Sequence, residues 1–378
     1  MGLNKMHHSM LNNPRNRRDF LKKAGLGCGS LALTSLLHQE GVIASTPSTS
    51  NPLAPRSSHF APRARAVIWL FQTGSPSQVD TFDYKPELQK RDGTSLAGAD
   101  PKTGFFTTSG KCLKSPFKWA QHGESGAWTS EIFPNISKHV DDMAFVYSCY
   151  SRSNNHTPAM LELNSGMIRQ GFPSMGSWLT YGLGADTEDL PGFVAMSPVA
   201  QPRGKLANWG NSFLPGAYAG SYVNIQKMKP EAVISDLKNA SLGQADQRKQ
   251  ADLLASLNRL HLERLQQDQQ LEAGIQAMEM AFRMQFSVPD VFDVTKETQA
   301  TRDLYGKSEF AKGCLIARRL VERGVRVVQL SHSISGYDIA WDTGHGDIPG
   351  GHKALADACD QGIAALIKDL KSRGLLDE

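Results

Sequence analysis

Apolar residues gather into three short continuous runs and several stretches with a helical period. Ala64–Gln72 (Ala-Arg-Ala-Val-Ile-Trp-Leu-Phe-Gln) lacks the alternation of a half-exposed strand, so it predicts a strand covered on both faces. Met143–Cys149 and Val325–Leu330 predict a second and a third strand of that kind. Each run opens into a polar stretch rich in Gly, Ser, Asn, Asp or His. Helical spacing follows the second strand as far as about Asn164, and it recurs over Pro173–Gly184, Glu309–Arg323 and Lys353–Arg373. Gly324 sits where a helix C-cap favours glycine. The longest helical pattern, Gln247–Gln285, belongs to a helical insertion over about 230–306, and residues 191–230 read as loop. Strands alternating with helices predict an α/β fold with a parallel sheet, its functional rim at the carboxyl ends of the strands.

The amino terminus changes this picture. Lys5, Arg15, Arg17, Arg18, Lys22 and Lys23 stand against Asp19 alone, and a mild apolar run follows from Ala24 to Leu37. Paired Arg, then Phe20-Leu21-Lys22 and a Gly-containing apolar stretch, predict a twin-arginine signal peptide over 1–44. A Ser/Pro/Thr-rich linker over 45–60 and an α/β domain over 61–378 complete the organisation. The expected location is periplasmic or secreted, with no transmembrane helix in the mature protein. The net charge of +4 is carried by the signal segment, because from Ser45 onward basic and acidic residues balance. Nucleic acid is thereby excluded as an expected partner. Cys112, Cys149, Cys314 and Cys359 show no paired spacing, and the last three sit in apolar patterns expected to bury them.

Three loops carry the candidate chemistry. The first holds Asp80 and Asp83. The second holds Asn154, Asn155, His156 and Thr157, where a helix N-terminus favours an anion. The third holds His332, Asp338, Asp342, His345 and Asp347, with His352 just beyond. Carboxylates and imidazoles at this density suit a divalent cation (Zn, Ca, Mg or Mn), and a nearby hydroxyl suits displacement at phosphorus or sulfur. Each residue also has a plainer reading. Asp80 and Asp83 serve as turn caps, His156 and Thr157 as helix-capping groups, and Arg152 and Arg169 as solvated or paired cations.

Several motifs together carry a family resemblance. Trp69 through Asp83, Phe172 through Gly182, Arg318 through Arg326 and Trp341 through Asp347 resemble a family of exported bacterial proteins of unknown function within the alkaline phosphatase and sulfatase superfamily. The resemblance implies an alkaline phosphatase-like parallel-sheet sandwich with helices on both faces. It implies Asp80, Asp342 and His345 as metal ligands, and Thr157, beside His156, as the nucleophile position. The Asn-His-Thr-Pro around Thr157 differs from the sulfatase Cys/Ser-x-Pro-x-Arg signature. Relatives of this kind continue with a further strand, a Gly-Glu-Phe-Gly-Arg motif and an Asp-His-His cluster. The expected domain is therefore incomplete, with its C-terminal part missing.

The expected activity is metal-dependent hydrolysis of a sulfate or phosphate ester, with a small anionic ester or sulfated glycan as partner. Two alternatives stand beside it: a non-enzymatic exported protein that binds an anionic glycan or surface component, and a gene fragment without independent function.

Overall fold

A computed structural model of the chain describes residues 52–96, 110–198, 201–226, 290–332, 341–342 and 347–377, with single positions at 98, 243, 246, 249, 252, 253 and 256. The expected signal segment over 1–44, the Gln247–Gln285 helix pattern apart from four single positions, Asp338 and His345 lie outside the described residues.

Six strands are described: β1 (Val67–Gln72), β2 (Trp119–His122), β3 (Ala127–Ser130), β4 (Phe193–Ser197), β5 (Ser221–Asn224) and β6 (Val327–His332). β1, β6, β4 and β5 form a parallel sheet in that order, while β2 and β3 pair as a separate antiparallel hairpin. β1 and β6 run in register from Val67 beside Val327 to Gln72 beside His332. The central strands β4 and β6 are buried at every position, while β1 and β5 at the margins are mostly half-buried. The fold is thus mixed α/β with a four-stranded parallel sheet.

The helices are α1 (Pro86–Lys90), α2 (His156–Ser165), α3 (Met175–Leu183), α4 (Gln299–Tyr305), α5 (Glu309–Val321) and α6 (Lys353–Ser372). Alternation along the central strands sends side chains to opposite faces of the sheet. Val194, Met196, Val328 and Leu330 join the large core with residues of α5 and α6, whereas Phe193, Ala195 and Val327 pack with Trp209 and with Leu179 of α3. Glycines set the closest approaches. A Cβ on Gly313 of α5 would meet Leu330 at 2.7 Å, one on Gly362 of α6 would meet the Ala311 Cα at 2.7 Å, and one on Gly176 of α3 would meet the Phe193 ring at 2.5 Å. α5 starts where the Ser308 hydroxyl accepts the Ala311 N–H, and it gives way to Gly324 at φ 83°, as the sequence predicts.

Three expectations are corrected. Met143–Cys149 forms no strand. Phe145 packs on Phe82 and Tyr147 at 5.8 and 6.0 Å, Val146 and Tyr147 are exposed, and β1 finds its neighbour in β6. Cys149 is consequently exposed, while Cys314 and Cys359 are buried as expected. The 191–230 stretch supplies two strands, β4 and β5, rather than loop alone.

Candidate functional site

The site lies at the carboxyl ends of the adjacent strands β1 and β6, where parallel sheets place ligands. Beyond Gln72 the chain reverses through Gly74 at φ 87° and Ser75 at φ 62°, an uncommon left-handed conformation for a residue with a side chain. One 3₁₀ turn over Gln78–Asp80 follows, with Ser77 ahead of it. The Ser77 hydroxyl donates to Asp80 Oδ2 at 2.5 Å, and the Asp80 N–H donates to the Ser77 carbonyl at 3.1 Å. Asp80 is only 7% exposed. Asp83 accepts from Lys85 at 2.8 Å and is held by that ion pair.

His332 ends β6 and is wholly buried. Its Nδ1 lies 2.8 Å from Gln72 Oε1, and the Trp341 indole N–H lies 2.9 Å from both atoms. Gln72 Oε1 satisfies both donors when the imidazole carries its proton on Nδ1, which leaves His332 Nε2 buried without a partner among the described residues. Burial alone pushes the His332 pKa down to about 3, so the ring is neutral at physiological pH. Thr73 locks the two strand ends, donating from its hydroxyl to the His332 carbonyl at 2.6 Å and accepting the Trp341 N–H at 2.9 Å.

That backbone bond delivers Asp342. Its Oδ2 stands 2.6 Å from His156 Nε2, at the first turn of α2. The structure therefore brings together the carboxylate and imidazole that the sequence placed in separate loops. His345 lies outside the described residues, and among those described no group of three His, Cys, Asp or Glu is poised around one point. Asp347 accepts the Gly350 N–H at 2.9 Å at the head of a short π-turn, Ile348–His352, that leads into α6.

Thr157 is half-buried in the first turn of α2. Asn155 caps the helix by accepting the Thr157 N–H at 3.2 Å, and the next residue, Pro158, has no N–H. Of the three first-turn amides, one is spent on the cap and one is absent, so the helix end offers an anion little beyond the His156 N–H. Arg152 pairs with Glu162, and the Arg169 guanidinium lies 5.6 Å over the Phe172 ring, so each has the plainer role.

The rim also contains residues that the spacing of Asp and His did not single out as site members: Gln72, Thr73, Ser77 and Trp341, together with His352 in a definite role. His352 Nε2 accepts the Ser77 N–H at 3.0 Å. Burial lowers its pKa, with the Asp80 charge opposing. A Ser three residues before an Asp and a polar residue closing an apolar strand were the available signals. Both patterns are common in ordinary turns.

Residues 64–378 match the family described as protein of unknown function DUF1501. The chain belongs to that family. No curated protein and no solved structure matches this DUF1501 chain. The matched span includes every rim residue named above, from Gln72 to His352.

Proposed function

We propose that this DUF1501 protein is an exported, metal-dependent hydrolase of phosphate or sulfate esters, with an alkaline phosphatase-like arrangement of its sheet and rim. The observation that carries the reading is the 2.6 Å approach of His156 to Asp342 at the strand ends, with Asp80 held on the neighbouring loop. The donor types, carboxylate oxygen from Asp80 and Asp342 and imidazole nitrogen from His345, suit Zn, Mn, Mg or Ca. Asp80, Asp342 and His345 would hold the ion, with His156 held beside Asp342. Such a cation supplies Lewis-acid stabilisation of charge on the ester oxygens.

The chain's own groups do the rest. Asp342 orients His156 by accepting its Nε2–H. Ser77 fixes the Asp80 carboxylate. The Thr157 hydroxyl, next in sequence to His156, is the candidate nucleophile. Twin-arginine export would deliver the protein folded, already carrying its ion.

The deciding experiment measures bound metal in the purified protein, then turnover of an aryl phosphate and an aryl sulfate. Asp342→Asn and His156→Gln are expected to lower turnover by about 10²-fold or more, and Thr157→Val to abolish it. A metal-free protein inert on both esters would sink the enzyme reading.

A further inference from the structure

The two rim carboxylates stand on different loops, and one buried imidazole touches both loops. His352 Nε2 accepts the Ser77 N–H at 3.0 Å, and the Ser77 hydroxyl in turn donates to Asp80 at 2.5 Å. The same ring packs edge-on against Trp341, with centroids 5.2 Å apart at 74°, and Trp341 immediately precedes Asp342. We propose that His352 is a positioning residue that sets where Asp80 stands relative to Asp342. This deepens the hydrolase reading and rests on it.

Three features argue for a role that packing alone does not explain. Accepting at Nε2 requires the proton on Nδ1, and that N–H is buried without a partner among the described residues. An unsatisfied buried donor costs about 1–3 kcal/mol, which an apolar ring of similar size would avoid. What an apolar ring cannot do is accept the Ser77 amide. The ring is also 1% exposed, so it acts through other residues rather than on substrate. Finally, His352 closes the π-turn Ile348–His352 and leads directly into α6, a 20-residue helix anchored in the core by Leu355, Ala356 and Cys359. π-turns are frequent at functional sites. Both loops are thus referenced to a rigid element.

The test compares the full chain with His352→Leu, which keeps apolar bulk without an acceptor, and His352→Gln, whose amide oxygen can take the Ser77 N–H. The readouts are titration calorimetry with zinc and with manganese chloride, and hydrogen exchange over residues 73–83 without metal. His352→Leu is expected to weaken metal affinity about 10–100-fold, and His352→Gln to stay within about threefold of the parent. Exchange over 73–83 is expected to speed up in His352→Leu and return towards the parent rate in His352→Gln. Unchanged affinity in His352→Leu overturns the proposal, as does equal damage in the two variants. If the parent binds neither metal, the hydrolase reading fails separately. Exchange then decides: faster exchange in His352→Leu, restored by His352→Gln, sustains the link, and equal rates overturn it.

Discussion

His332 makes the stability of this chain depend on pH in a way the structure fixes in sign. The ring is wholly buried, its Nδ1 is committed to Gln72, and its Nε2 has no partner among the described residues. Burial lowers its pKa from 6.5 to about 3. A histidine depressed in the folded state binds protons more readily when unfolded, so stability is intact above pH 6.5 and falls as pH drops from 6.5 towards 3. Between neutral pH and pH 5 the loss is about 1.5 pH units at about 1.36 kcal/mol each, or about 2 kcal/mol. His352 shifts in the same direction, so the parent's total slope contains both rings. Comparison with His332→Leu isolates the first, because a pH-independent packing change cancels between the two pH values. Urea unfolding of both proteins at pH 7.5 and pH 5.0 is the assay. The parent should lose about 2 kcal/mol more than His332→Leu over that interval. Equal losses would refute the reasoning and mean that the imidazole takes up its proton in the folded state.

Three further outcomes concern the scaffold. Arg318 is 2% exposed and lies within 3.0 Å of Glu297, Glu322 and Asp369, although only the contact to Glu322 is aligned as a hydrogen bond. Arg318→Met removes the buried cation those carboxylates share and leaves Glu297 to Arg319 and Glu322 and Asp369 to the half-exposed Arg373, so chemical denaturation should show a loss of about 3–5 kcal/mol, and a loss below about 1 would mean that Arg319 and Arg373 suffice. Gly362→Ala places a Cβ 2.7 Å from the Ala311 Cα and should lower the urea midpoint by the equivalent of about 1–3 kcal/mol, whereas Gly182→Ala in α3 meets nothing within 4 Å and should raise stability by about 0.5–1 kcal/mol.

The strands of the sheet were legible in the sequence to different degrees. β1 and β6 could be read because each is a continuous apolar run, although only β6 is buried at every position as such a run predicts, and β1 at the sheet margin is mostly half-buried. β4 could not, although it is buried at all five positions, because Phe-Val-Ala-Met-Ser is short, weak in β-branched residues and set among Pro and Gly. Met143–Cys149 shows the converse error. Its composition is that of a strand, but a strand exists only where another strand offers its hydrogen bonds, and Phe145 instead packs on the Asp80 loop. For the site, residue chemistry pointed to Asp80, His156 and Asp342, and the contact between the last two is present. Ser77, Gln72 and the acceptor role of His352 were not legible, because each works through a partner far away in the chain.

That distance shapes how the site comes into being. Ser77 and His352 are 275 positions apart, and His332 and Gln72 are 260 apart, yet β1 and β6 are neighbours in the sheet. No local segment holds more than a fragment of the rim. The Ser77 hydroxyl is the local partner of Asp80 before β1 pairs with β6, and Trp341 ties the Asp342 segment to the β1 loop through its backbone bond to Thr73 and its indole bond to Gln72. Closing loops of this length precedes any contact that rewards it, so the rim assembles with the sheet and not before. A substitution that merely loosens the β1–β6 pairing should therefore disturb the Asp80 loop and the His156–Asp342 contact together. One that disturbs only one of them acts locally, which is the distinction needed to separate a defect in chemistry from a defect in the fold.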